Sequence, residues 1–241
     1  MRWEKIPLYS RAVTDEALSV AIVEKVSGMN NVRLDQILAA GNLAIMGVNQ
    51  DGHYVLVTGK TTVNGEPTYT INDPLLGATT LFDAYDDVYS SFRVLSQVSS
   101  PPGMLSVSGH SPIELLITDP LGRRIGYDPA TGTILNEIPN ADYFMETLAP
   151  NGGSGQGGNA LQSKNLVLYT PEEGAYTIQV SGTGTGSYQV LSTALTQEWE
   201  VSESLASGEA SAGSLDIIQI SYSASTGVGT AGAVYLPFVL R

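Results

Sequence analysis

Gly52-His53-Tyr54-Val55-Leu56-Val57-Thr58-Gly59 (GHYVLVTG) is a short apolar run set between glycines, and one of the chain's two histidines opens it. A second apolar run, residues 43–49, precedes it, and Gln50-Asp51-Gly52 between the two is a hairpin turn signal. Two antiparallel strands are therefore expected. Asn64-Gly65 marks another turn, and residues 68–72 return as a third strand. That strand closes on Ile71-Asn72-Asp73-Pro74 (INDP), where proline cannot continue the ladder. Asn-Asp-Pro is also an ordinary turn signal, so His53 and Asp73 first read as a strand residue and a turn residue.

Around this hairpin the periodicity changes. Residues 31–40 predict a helix with Leu34, Ile37 and Leu38 on one face and Gly41 as its C-terminal stop. In residues 14–27 the spacing of Leu18, Ala21, Ile22, Lys25 and Val26 predicts another, with Thr14 as N-cap and Gly28 as stop. A strand competes there, because Val20, Ile22 and Val26 are β-branched. Residues 81–89, acidic and aromatic, suit a short helix, and residues 91–95 a closing strand.

Val98-Ser99-Ser100-Pro101-Pro102-Gly103 breaks both regular structures and reads as a linker. Beyond it, residues 113–118, 164–169, 175–181, 186–192 and 214–222 are strand-like and rich in Val, Ile, Thr and Tyr, with turns between them. Strands without intervening helices argue for an antiparallel sandwich. The expected organisation is a first domain over 1–97, a linker over 98–103, a sandwich over 104–232 and a terminal strand or tail over 233–241. Asn151–Gly158 (NGGSGQGG) is too glycine-rich to hold one conformation and is expected to be mobile.

Composition narrows the function classes. The 241 residues are 42% apolar and 15% charged, enough to build a packed core. The net charge is −13, with 7 basic against 11 acidic residues up to Gln97 and 4 against 13 after it. Such a surface repels phosphate backbones, so no nucleic-acid partner is expected. There is no cysteine, hence no encoded thiol nucleophile, thiolate metal site or disulfide. The first residues lack a signal-peptide core, and no run is long enough to span a bilayer.

Taken together, Ile37-Leu38-Ala39-Ala40-Gly41, the run 43–48, GHYVLVTG and INDP resemble the C-terminal half of the C39-like, papain-fold cysteine peptidase family. The order of these elements is the resemblance; either motif alone is less specific. It implies an α+β fold: a partial papain-like domain, an antiparallel sheet with one or two helices, followed by an all-β Ig-like sandwich. It also implies that His53 is the general base and Asp73 the carboxylate that orients it. An imidazole makes a thiolate available near neutral pH, and an acceptor on its second nitrogen fixes its tautomer. The family's nucleophilic cysteine and oxyanion-hole glutamine belong to an N-terminal helical half that this chain does not match. Gly-x-Ser-x-Gly is absent as well. The expectation is a non-catalytic binding or structural module. The alternative is a thiol peptidase fragment whose cysteine segment is supplied separately.

The strand-turn patterns Ser111–Arg124 and Pro171–Val180 look like β-sandwich modules appended to exported bacterial hydrolases, which implies an extracellular or cell-surface location. Peptide or protein partners follow from the same likeness. Self-association is expected through the face that a missing helical half would leave exposed. No cofactor is expected. Gly153-x-Gly155-x-x-Gly158 matches a dinucleotide fingerprint only formally, and Gly47–Gly52 lacks the ligands of a calcium loop. Asp83, Asp86 and Asp87 read as a solvated face rather than a cation site, and His110 as a surface residue. Tyr54, Tyr69 and Tyr85 read as packing.

Overall fold

In the computed structural model, which describes residues 3, 5–13, 19–110, 112–148 and 161–234, the chain divides into two units. One is Ile6–Pro101; the other joins Met1–Lys5 to Pro102–Arg241. The first few residues thus belong with the second unit. The division falls inside the Pro-Pro segment, where neither helix nor strand can be continued.

The first unit contains α1 (Lys5–Val13) from its second residue on, β1 (Val20–Ser27), α2 (Asn31–Ala39), β2 (Leu43–Val48), β3 (His53–Val63), β4 (Glu66–Asp73), β5 (Gly77–Thr80), α3 (Leu81–Tyr85) and β6 (Ser91–Gln97). Its strands form one antiparallel sheet in the order β1-β6-β2-β3-β4-β5. Alternation puts Ala44, Met46, Val48, Val55, Val57, Ile71, Phe92 and Val94 on one face, packed with Leu34 and Ile37 of α2 and Leu81 of α3. Helix α2 forms where its apolar spacing predicts. Asn30 caps it by accepting the Arg33 amide at 3.0 Å. Gly41, at φ +78°, closes it with amide bonds from Gly41 to Leu38 and from Asn42 to Ile37.

A bulge in β3 governs what each end of the strand presents. The register runs Val57↔Ile71 and then Gly59↔Thr70, so Thr58 is an extra residue. The face that carries His53, Val55 and Val57 is therefore continued by Lys60, which pairs with Tyr69 and is itself exposed. Lys60 Nζ meets Asp35 on α2 at 2.5 Å, and the Tyr69 hydroxyl donates to the same carboxylate at 2.9 Å. Burial and that carboxylate push the Tyr69 phenol well above its ordinary value.

The helix expected over 14–27 is corrected. Val20–Ser27 is a strand at the sheet's edge, paired with β6 from Val20↔Gln97 to Ser27↔Ser91. Its β-branched residues and the offered partner outweigh a helical spacing that only weakly separates the two forms.

The second unit contains β7 (Met104–His110), β8 (Ile113–Thr118), β9 (Arg124–Asp128), β10 (Thr133–Asn136), β11 (Ala141–Leu148), β12 (Leu161–Leu168), β13 (Gly174–Gly182), β14 (Gly186–Leu195), β15 (Val201–Ala210), β16 (Leu215–Ser223) and β17 (Gly227–Val234). One sheet has the order β10-β9-β8-β13-β16-β17, the other β11-β12-β7-β14-β15. Leu105, Val107, Leu166 and Val190 from one sheet meet Leu115, Ile117, Ile178 and Ile220 from the other in a common core. This is an antiparallel β-sandwich.

The expected α+β class is overturned. Among the described residues the helices have nine, nine and five residues, against seventeen strands in three antiparallel sheets. No helix-rich, papain-like half accompanies the first sheet among the described residues, which are mostly β. The Ig-like label is also too narrow, since six- and five-stranded sheets exceed the seven to nine strands of that fold. The glycine-rich segment 151–158, with its formal dinucleotide fingerprint, and the tail beyond residue 234 lie outside the described residues.

Candidate functional site

His53 enters β3 from a turn that the sequence builds with care. Asn49, Gln50 and Asp51 all have positive φ, between 51° and 62°, and Gly52 donates its amide to Asn49 at 3.0 Å. The Asp51 carboxylate folds back over Gly47, where an added Cβ would sit 1.7 Å from Oδ1. That oxygen accepts the Ser91 hydroxyl at 2.7 Å, tying the turn to β6. Glycine at position 47 therefore leaves room for the Asp51 side chain that ties the turn to β6.

Asp73 ends β4. Continuing the register Leu56↔Asn72 by one step sets Asp73 opposite Val55, so Asp73 and His53 lie on the same sheet face, two positions apart. His53 Nε2 stands 3.0 Å from Asp73 Oδ1. The same Oδ1 accepts the amides of Leu75 at 2.7 Å and Leu76 at 3.2 Å. The Tyr85 hydroxyl, at the end of α3, donates to Oδ2. The Asp73 side chain is closed to solvent, whereas 22% of the His53 side chain is exposed.

Burial alone would raise the Asp73 pKa. The Tyr85 hydroxyl, the Leu75 amide, His53 and the Leu76 amide outweigh it, holding the carboxyl far below its usual range. An ionised carboxylate only accepts, so the Nε2 of His53 carries the shared proton. Nδ1 is then the lone-pair nitrogen of the neutral ring, and it has no partner among the described residues. Burial, then Asp73, pushes the Tyr85 phenol up to about 12, which keeps it a donor.

Asp-Pro turns recur in the chain and separate the structural part of this arrangement from the rest. Asp119 accepts the amides of Leu121 and Arg123 at 2.9 and 2.8 Å, and Asp128 that of Ala130 at 2.9 Å. Binding the amide two residues on is thus a common turn device. Asp119 gives its remaining capacity to the Arg123 guanidinium at 2.7 Å. Asp73 alone gives it to an imidazole and a phenol.

The remaining candidates resolve into structural roles. Asp83 exchanges bonds with Thr80 at the start of α3. Asp86 forms its left-handed C-cap, and Asp87 accepts the Thr68 hydroxyl. No group of three metal-ligating side chains occurs among the described residues. His110 is exposed at the end of β7. Tyr54 faces away from the His53 side and lies 5.0 Å from the buried Arg93 guanidinium. A cavity of about 450 Å³, lined by Asp35, Leu38, Asn42, Thr58 and Lys60 among others, includes none of His53, Asp73 or Tyr85.

Sequence reading assigned Tyr85 to packing and missed its bond to Asp73. The available signal was Thr80 with Asp83, a capping pair that fixes where α3 begins and hence where Tyr85 falls. No family model matches the chain, and no curated protein and no solved structure matches it. No helix among the described residues is long and apolar enough to cross a membrane.

Proposed function

We propose that the first unit carries the base and orienting carboxylate of a C39-like thiol hydrolase site, in a chain that serves as a non-catalytic binding or structural module. The observation that carries this is the 3.0 Å contact of His53 Nε2 with a buried, fully engaged Asp73. Its order along the chain, GHYVLVTG before INDP, supports the same reading. A base without a nucleophile does not transfer acyl groups, and the chain has no cysteine. The purified chain, assayed on peptide and ester substrates, is expected to show no His53-dependent turnover, with or without reductant. Robust cleavage abolished by His53→Ala would overturn the non-catalytic reading.

A second reading is favoured by one feature. Nδ1 of His53 has no partner among the described residues, on a side chain that keeps solvent access. A thiol brought by a separate segment has a nitrogen to meet there. Under this reading, adding a helical segment bearing glutamine and cysteine restores cleavage under reducing conditions, and His53→Ala removes it. No cleavage at saturating segment counts against it.

Export to the cell surface and a peptide or protein partner belong to the proposal, resting on the sandwich module's likeness. Self-association belongs to it as well. Leu75 and Leu76 are 81% and 63% exposed beside the dyad, with Val88 and Phe82 also exposed in this unit. Light scattering over a hundredfold concentration range tests this: a growing dimer fraction is expected, and a constant monomer mass contradicts it.

A further inference from the structure

Asp73 is a hub with four donors, and their division between its two oxygens is uneven. Oδ1 takes His53 Nε2 and the two turn amides. Oδ2 takes the Tyr85 hydroxyl, its one donor among the described residues. A carboxylate that has turned about its terminal bond exchanges its two oxygens, and that bond is soft. The amides oppose only intermediate angles of such a turn, because they require one of the two oxygens at their own position. They do not dictate how the carboxylate plane tilts toward the imidazole. The donor on the opposite side does.

The Tyr85 ring also lies against the histidine, with centroids 6.3 Å apart and planes inclined by 38°. Its placement follows from a short helix with both ends specified. Thr80 accepts the Asp83 amide at 3.1 Å, and Asp86 adopts φ 51° and stops the helix one residue after Tyr85. Leu81, fully buried, fixes the helix on the sheet. Tyr85 therefore approaches Asp73 from an element that neither His53 nor the INDP turn belongs to.

We infer that Tyr85 is a positioning residue of the candidate site: its hydroxyl holds Asp73 Oδ2 so that Oδ1 stays aligned with His53 Nε2 and Nδ1 remains the ring's lone-pair nitrogen. This rests on reading His53 and Asp73 as base and orienter. Tyr85 acts through Asp73 and touches no reacting atom. Two things separate this role from mere packing: the hydroxyl, which packing does not need, and its direction toward the oxygen that His53 leaves free.

The test uses the full chain with ¹⁵N-labelled histidine. It compares wild type, Tyr85→Phe, Asp73→Asn and His53→Ala, the last to assign the His53 ring signals. The readouts are the tautomer of the neutral His53 ring and the exchange rate of its Nε2 proton. Wild type is expected to hold the Nε2–H tautomer with a protected proton. Tyr85→Phe keeps the ring and removes only the oxygen. It is expected to speed that exchange roughly tenfold, the order set by losing one supporting hydrogen bond, and to admit the Nδ1–H tautomer. The backbone amide spectrum should stay folded.

If Tyr85→Phe leaves tautomer and exchange unchanged while Asp73→Asn alters both, Tyr85 only packs and the inference is overturned. If Asp73→Asn alters neither, the base-and-orienter pair itself fails, and the inference fails with it. Should Tyr85→Phe lose the folded spectrum, Tyr85→Trp keeps a large ring with its donor displaced. It should give the same faster exchange on a folded background, and unchanged exchange there overturns the inference.

Discussion

His53 Nε2 lies 3.0 Å from Asp73 Oδ1 across two strands, and the two side chains differ in solvent access: the carboxylate is sealed and the imidazole is not. One end of the pair belongs to the core and the other to the surface. Such a pair can be read through its stability as well as its chemistry.

Asp73→Ala removes the acceptor of two side-chain donors and two amides, all at a sealed position. A loss of about 1–3 kcal/mol is expected, because four partly buried donors lose their shared acceptor. His53→Ala leaves Oδ1 with its two amides and removes a partly exposed ring, so about 1 kcal/mol or less is expected. Urea unfolding followed at the amides of Val55 and Ile71 measures the first unit directly. Both tryptophans, Trp3 and Trp199, fall in the second unit, so their fluorescence does not report on the first. Equal losses for the two variants would show that Asp73 is not the hub.

The folded state depresses the Asp73 pKa, so its contribution to stability is present in full above the unfolded carboxyl value near 4. It is lost as the pH falls from there through the folded value. The urea midpoint of the first unit should therefore fall more steeply in acid for wild type than for Asp73→Asn, whose amide does not titrate. Parallel midpoints for the two proteins from neutral pH down to about pH 2 would contradict the depressed value.

Gly47→Ala sets a Cβ 1.7 Å from Asp51 Oδ1 and opens the turn that leads into His53. A cost of about 1–3 kcal/mol is expected from the overlap. Asp51→Ala loses the bond to Ser91 but clears the space. The double variant should be more stable than the sum of the two losses, since the residues are in contact. Additivity in a double-mutant cycle would remove the stated reason for glycine at 47.

Legibility in the sequence followed how much of each signal is local. The β2–β3 hairpin and α2 were visible because Gln50-Asp51-Gly52, the Leu34–Ile37 spacing and Gly41 act within a few residues. Val20–Ser27 was ambiguous because β-branching and helical spacing coincide there, and the partner that decides it is β6, some seventy positions away. β15 (VSESLASGEA) carries almost no apolar alternation, and its Leu205 is exposed. It is a strand because β14 pairs with it along its whole length. The papain-like class failed for a different reason: motif order conveys the local hairpin geometry around His53 and Asp73, not the helix content beyond it. The same locality explains Tyr85. Its role depends on where a five-residue helix ends, which Asp86 sets through its backbone conformation.

The most direct measurement is the ring ¹⁵N spectrum of neutral His53 in the wild-type chain and in Asp73→Asn. If Asp73 orients the ring, wild type shows a protonated Nε2 and an unprotonated Nδ1, and the preference is lost when the carboxylate is replaced. A ring that favours Nδ1–H, or one indifferent to Asp73→Asn, would contradict that role.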